Sequence, residues 1–109
     1  MSKEEGKKIY ISGKVSGELP YRALAAFGYA SSTLRTAGSK VINPMVINDS
    51  LVSQGFKYAD LMHMCYAAID ICDAVYMLRN WKDSKGAQLE HDYAVATGKE
   101  ILYQGGGNG

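Results

Sequence analysis

Five consecutive apolar residues, Ala74 to Leu78 (AVYML), stand between the charged residues Asp73 and Arg79. A run this short, without polar alternation, predicts a strand covered on both faces, because a half-solvated strand alternates apolar and polar residues. Before it, Leu61, Cys65, Ala68, Ile69 and Cys72 recur at helical spacing, and after it Ser84, Lys85 and Gly86 open a second helical segment. A strand enclosed by helices is the core unit of a parallel α/β sheet, and the rest of the chain must be built around it.

The remaining segments fit that unit. Lys8 to Ser12 (KIYIS) is apolar at adjacent positions and stopped by Gly13, which predicts a first strand. Pro20 marks the first turn of a helix over Tyr21 to Ala37, with Leu24, Phe27 and Leu34 on one face, Gly28 and Ser31 between them, and Gly38 as the C-terminal cap. Lys40 to Asn43 (KVIN) predicts a second strand, ended by Pro44. Residues 45 to 56 read as an irregular loop, with Asn48, Asp49, Ser50, Ser53 and Gly55 supplying turn chemistry; a loop of that length is often functional. Tyr58 to Cys72 is the second helix, with His63 off its inner stripe and solvated, Ser84 starts the third, and Lys99 to Gln104 is the last strand. This alternation predicts a single-domain, three-layer, doubly wound α/β fold, flavodoxin- or Rossmann-like, with a parallel sheet of four to five strands. The domain is expected over residues 8–104, between a charged N-terminal tail at residues 1–7 and a glycine-rich flexible tail at residues 105–109.

Composition excludes several function classes. With 47% hydrophobic residues, 21% charged and a net charge of +1, the chain is an ordinary soluble domain, and its scattered lysines and arginines do not form a footprint for a nucleic-acid polymer. The charged start MSKEEGKK is followed by far fewer apolar residues than the roughly 20 of a membrane span, and it is equally unlike a secretory signal. A cytoplasmic location without membrane attachment is therefore expected. Cys65 and Cys72, two turns apart on one helix, would have Cα atoms about 10 Å apart, too far for a disulfide. With His63 and His91 they show no paired ligand spacing, so neither a metal nor a redox cofactor is expected.

In open parallel sheets, ligands bind beyond the carboxyl ends of the strands, where the strand order switches. The loops expected there are Gly13 to Pro20, Asn43 to Phe56, and Arg79 to Lys85. The first, GKVSGELP, can bring backbone N–H groups to an anion or can be plain turn chemistry. Ser84 is placed to cap the third helix, whose free N–H groups near Gly86 would suit a phosphate, although a serine cap needs no ligand. Glu90, six residues on, is either a cleft carboxylate able to act as nucleophile or base, or a surface glutamate favoured by the helix dipole. Tyr10 reads as a core tyrosine whose hydroxyl needs a partner, the obvious one being an acid in the cleft. Trp81 is either a local hydrophobic plug or a lid over a planar ligand. Asp73, at the amino end of its strand, reads as structural.

The blocks IYISGKVSG, VINP, and CDAVYML followed by W, S, GA, LE, A and GK resemble the small nucleoside 2-deoxyribosyltransferase-like family, specifically its DUF4406 branch. They are more distantly similar to deoxynucleoside 5′-monophosphate N-glycosidases. The resemblance runs from Lys8 to about Tyr103 and implies a deoxynucleoside or deoxynucleotide ligand, cleavage or transfer of its N-glycosidic bond, and a homo-oligomer whose neighbours complete each other's sites. Glu90 stands at the position of the glutamate that attacks the anomeric carbon, and Tyr10 at that of the tyrosine orienting it. Ser84 matches members that accept a 5′-phosphate. Gly13, Lys14, Ser16 and Gly17 match the loop closing around the sugar phosphate, Asn43 and Pro44 match the end of the second strand, and Trp81 would lie near the base. One position departs: active relatives carry an aspartate, serving the departing base, eight residues before the aspartate of the CD pair, and Cys65 stands there. A thiol, with an ordinary pKa of about 8.5, is a poorer acid than a carboxyl group, so a non-catalytic nucleotide-binding module of the same fold is the alternative expectation.

Overall fold

The structure, a computed structural model, describes residues 6–15 and 17–106. The strands β1 (Lys8–Ser12), β2 (Lys40–Ile42), β3 (Ala74–Met77) and β4 (Glu100–Tyr103) form one four-stranded sheet in the order β2-β1-β3-β4. All neighbouring strands run parallel. Helices α1 (Pro20–Thr36), α2 (Pro44–Ser53), α3 (Tyr58–Asp70) and α4 (Lys85–Ala96) link them. The chain leaves β1 toward β2 on one side and returns to β3 on the other, so the order reverses between β1 and β3. This is the doubly wound, three-layer arrangement expected from the alternating segments.

Pleating divides the core into two halves. Ile9, Ile11, Ala74 and Leu78 pack on one side against Phe27, Ala30 and Leu34 of α1. On the other, Tyr10, Val75 and Met77 pack against Cys65 and Ile69 of α3 and Ala87 and Ala94 of α4. Successive strand residues point to opposite faces, so Ser12 shares the α3–α4 face with Tyr10. Asp73 is structural as expected: its Oδ2 accepts from the Lys8 backbone N–H at 2.9 Å, tying β1 to the start of β3.

Several expectations need correction. The segment read as an irregular loop contains α2, a ten-residue helix. Pro44 presets its first turn, and the Asn43 side chain caps it by accepting from the Met45 N–H at 3.0 Å. Gly55, at φ 89°, then ends the segment. The turn-forming residues are thus carried inside a helix whose ends are well specified. On α1 the buried stripe is Ala23, Phe27, Ala30, Ser31 and Leu34, and Leu24 is 58% exposed. Small residues on that stripe let the helix approach the sheet, which a stripe through Leu24 would prevent. Lys7 pairs with Glu100 at 2.6 Å, and the Gly6 N–H donates to the Gly38 carbonyl. Beyond β4 the Gln104 side chain accepts from the Arg79 N–H, and Gly105 and Gly106 take positive φ; residues 1–5 and 107–109 lie outside the described residues.

Candidate functional site

Tyr10 and Ser12 stand at the carboxyl end of β1, beside the order switch, and both side chains reach the same carboxylate. The Ser12 hydroxyl donates to Glu90 Oε1 at 2.6 Å, and the Tyr10 hydroxyl donates to Oε2 at 3.0 Å. Helix α4 presents Ala87, Glu90 and Ala94 to the core at i, i+3 and i+7. The two alanines let α4 lie close on the sheet, so the glutamate between them is only 7% exposed. Its start is set by Ser84, whose Oγ accepts from the Ala87 N–H at 3.2 Å. From α3, Cys65 brings a free, buried thiol to the same carboxylate and to Tyr10.

Burial dominates the electrostatics. It raises the Glu90 pKa above the ordinary carboxylate value, while the donors Ser12, Cys65 and Tyr10 pull it back. Burial and then the Glu90 charge push the Cys65 thiol up to about 12. The same two causes, in the same order, hold Tyr10 well above the ordinary tyrosine range. Both neighbours therefore stay protonated at neutral pH and serve as neutral donors. The arrangement is one desolvated carboxylate with fixed orientation, which suits attack on an electrophilic carbon better than a carboxylate free in water.

This carboxylate opens on a cleft of about 300 Å³. Tyr10, Cys65 and Glu90 line it together with Ser84, Lys85 and Gly86 of the α4 start and Asp83 and Tyr58. Val15, Phe27, Leu61 and Met62 supply apolar wall, and α2 contributes Pro44, Asn48 and Val52. Two glycines are there for close approach. A Cβ on Gly13 would lie 2.6 Å from Leu78 Cδ1 and 2.8 Å from Leu78 Cβ; one on Gly86 would lie 3.1 Å from the Tyr58 hydroxyl.

Of the residues singled out in the sequence, Tyr10, Gly13, Pro44, Ser84, Gly86 and Glu90 meet at this cleft. Others are elsewhere. Trp81 lies outside the cleft lining: in a 3-10 turn over Trp81–Asp83 it is buried and its ring stacks on His91 at 4.4 Å and 19°, the arrangement of a hydrophobic plug. Asn43 is not in the cleft lining either; its side chain caps α2, and it borders a groove on α1 with Arg35. Lys14 donates its backbone N–H to Asn80 Oδ1 and lies with Gly17 outside the cleft lining. Ser16 falls outside the described residues. Ser12, Tyr58 and Asn48 were not singled out for the site. For Ser12 a signal existed, since alternation places it on the face of Tyr10.

Fold and site together define a flavodoxin-like α/β protein with one buried, hydroxyl-held carboxylate at the switch point of its sheet. Residues 7–103 match the family described as "Domain of unknown function (DUF4406)", and the chain belongs to that family. No curated protein matches it. Among solved structures it is similar to the 2-desoxiribosyltransferase from Leishmania mexicana, with a TM-score of 0.68 and 22% sequence identity over 89% of this chain. The matched region is 63% of that transferase's chain. The two proteins share a fold. Among the described residues no group of three or more His, Cys, Asp or Glu is placed to hold a metal ion, and no helix is long and apolar enough to cross a membrane.

Proposed function

We propose that the protein cleaves or transfers the N-glycosidic bond of a deoxynucleoside or its 5′-monophosphate, with Glu90 as the nucleophile. The observation that carries this reading is the holding of both Glu90 oxygens by Ser12 and Tyr10 on the floor of a cleft. A Glu90 oxygen attacks C1′ as the C1′–N bond breaks. The base departs with the bonding electron pair and takes up a proton. The resulting ester is opened at C1′ by water or by a second base, which regenerates the carboxylate and retains configuration, as in double-displacement glycoside cleavage. The start of α4 suits a 5′-phosphate. Ser84 Oγ accepts from Ala87 but still has its own proton to donate, and Lys85 adds positive charge.

One observation favours a second reading, a non-catalytic binding module. Cys65 lines the cleft beside Glu90, and with its pKa pushed up to about 12 it is a poor proton donor to a departing base. The test is to incubate the protein with a panel of deoxynucleosides and 5′-monophosphates, measure free base by chromatography, and repeat with Glu90→Ala. Base release that disappears in the variant is expected. Release unaffected by the substitution would rule out the nucleophile, and binding without release would favour the module.

A further inference from the structure

Among the described residues, the cleft presents a carboxylate for attack but no group placed to protonate what the attack displaces. The titratable side chains that line it are Tyr10, Tyr58, Cys65, Asp83, Lys85 and Glu90. Tyr10 and Cys65 reach Glu90, and burial together with the Glu90 charge holds the proton on each of them. The other three belong to the α4 end, which suits the 5′-phosphate. Asp83 and Lys85 flank Ser84, and the Tyr58 hydroxyl stands over Gly86, 3.1 Å from where a Cβ would be. A neutral purine or pyrimidine leaves as an anion unless a proton reaches it, so at this site the proton has to come from water. A base that already carries a positive charge needs none, because it departs neutral. Two features of the cleft complement such a base. Glu90 is a buried carboxyl group, and a cation beside it offsets the cost of holding its charge out of water. Phe27, Tyr10 and Tyr58 line the same space, and aromatic rings attract cations.

We infer that the substrate is a deoxynucleotide whose base carries a fixed positive charge, the class to which N-alkylated purines belong. This rests on the proposed function. With a 7-methyladenine nucleotide, a Glu90 oxygen bonds to C1′ as the C1′–N9 bond breaks, and the electron pair passes to N9 and cancels the charge of the ring. Neutral 7-methyladenine departs, and no proton is transferred. Water then bonds to C1′, the C1′–O bond of the ester returns its pair to Glu90, and one proton of that water goes to solvent. The neutral parent, dAMP, follows the same path only when a solvent proton has reached its base.

The experiment compares dAMP with 7-methyl-dAMP, which differ by one methyl group and its charge. Free base is measured by chromatography between pH 6 and 8, and the rate with Glu90→Gln is subtracted as background. Once Glu90 is ionised, the rate with 7-methyl-dAMP is expected to stay level as pH rises, whereas the rate with dAMP falls about tenfold per pH unit or lies below detection throughout. At pH 8 the methylated nucleotide is expected to be cleaved at least about 100-fold faster, the low end of what a placed acid contributes. A dAMP rate that stays level with pH shows that a protein group supplies the proton and overturns this inference alone, as does a smaller preference at pH 8. Base release from neither nucleotide above the Glu90→Gln background overturns the proposed function with it.

Discussion

Replacing Glu90 by glutamine isolates what the site costs the fold. Folding takes this carboxyl group from water to a position only 7% exposed, and burial raises its pKa above the usual 4.5. A folded pKa raised above the unfolded value means that the folded state binds the proton more tightly. The stabilising effect is fully present below the unfolded pKa and is lost as pH rises through the folded one. Each unit of elevation corresponds to about 1.4 kcal/mol. For 109 residues the unfolding entropy is about 0.2 kcal/mol/K, so that unit is about 6 °C of melting temperature. Glutamine keeps the shape but does not titrate. It also loses the charge-assisted part of the bonds from Ser12 and Tyr10, about 1 kcal/mol. The expected result from thermal melts between pH 4 and 8 is a difference, variant minus wild type, that grows in the variant's favour as pH rises. A wild type that gains on the variant with rising pH would refute the reasoning, because it would mean that the three donors outweigh burial and depress the folded pKa.

Three further outcomes follow from the geometry. Gly13→Ala sets a methyl against Leu78 Cβ, which no rotamer change can move, so the end of β1 must shift; a loss of about 1–3 kcal/mol, read by denaturant unfolding, is expected, and unchanged stability would show that the backbone absorbs the contact freely. Ser84→Ala removes the cap on α4 at a cost of about 1 kcal/mol and should weaken a 5′-monophosphate more than the matching nucleoside in a binding titration; equal weakening of both would exclude a phosphate at this helix start. The resemblance implies a homo-oligomer; Val46 on α2 is 72% exposed, and Phe56, beyond the helix, is 48% exposed. Light scattering should give a mass above that of one chain, and a purely monomeric solution at high concentration would exclude it.

What could be read from the sequence is what local chemistry dictates. KIYIS and AVYML, short apolar runs without polar alternation, read as strands covered on both faces, and they are β1 and β3 with Leu78 just beyond the latter; that the two lie side by side is seen only in the fold. Helix α2 is hidden because Asn48, Asp49 and Ser50 are turn-formers by type, and Asn43–Pro44 reads equally as a strand end and as the helix cap it is. Trp81 illustrates the reverse difficulty. Its place on a loop near the cleft says nothing of which way the ring turns, and that is decided by His91, ten residues on in α4.

The site itself divides along the same line. That Glu90 is buried has a local sign: it shares a stripe with Ala87 and Ala94, and a charged residue on the only face of a helix small enough to approach a sheet must either turn away or find partners inside. What the partners are has no local sign. Tyr10 and Ser12 lie 80 and 78 residues away in the sequence, and only the parallel pairing of β1 with β3 followed by the return through α4 brings them to the carboxylate. Cys65 arrives by a third route, on α3, where its spacing fits a plain hydrophobic stripe equally well. Its thiol becomes part of the chemistry only because the stripe of α3 and the stripe of α4 converge over the same end of β1, so the character of the site depends on where two ordinary helix faces meet.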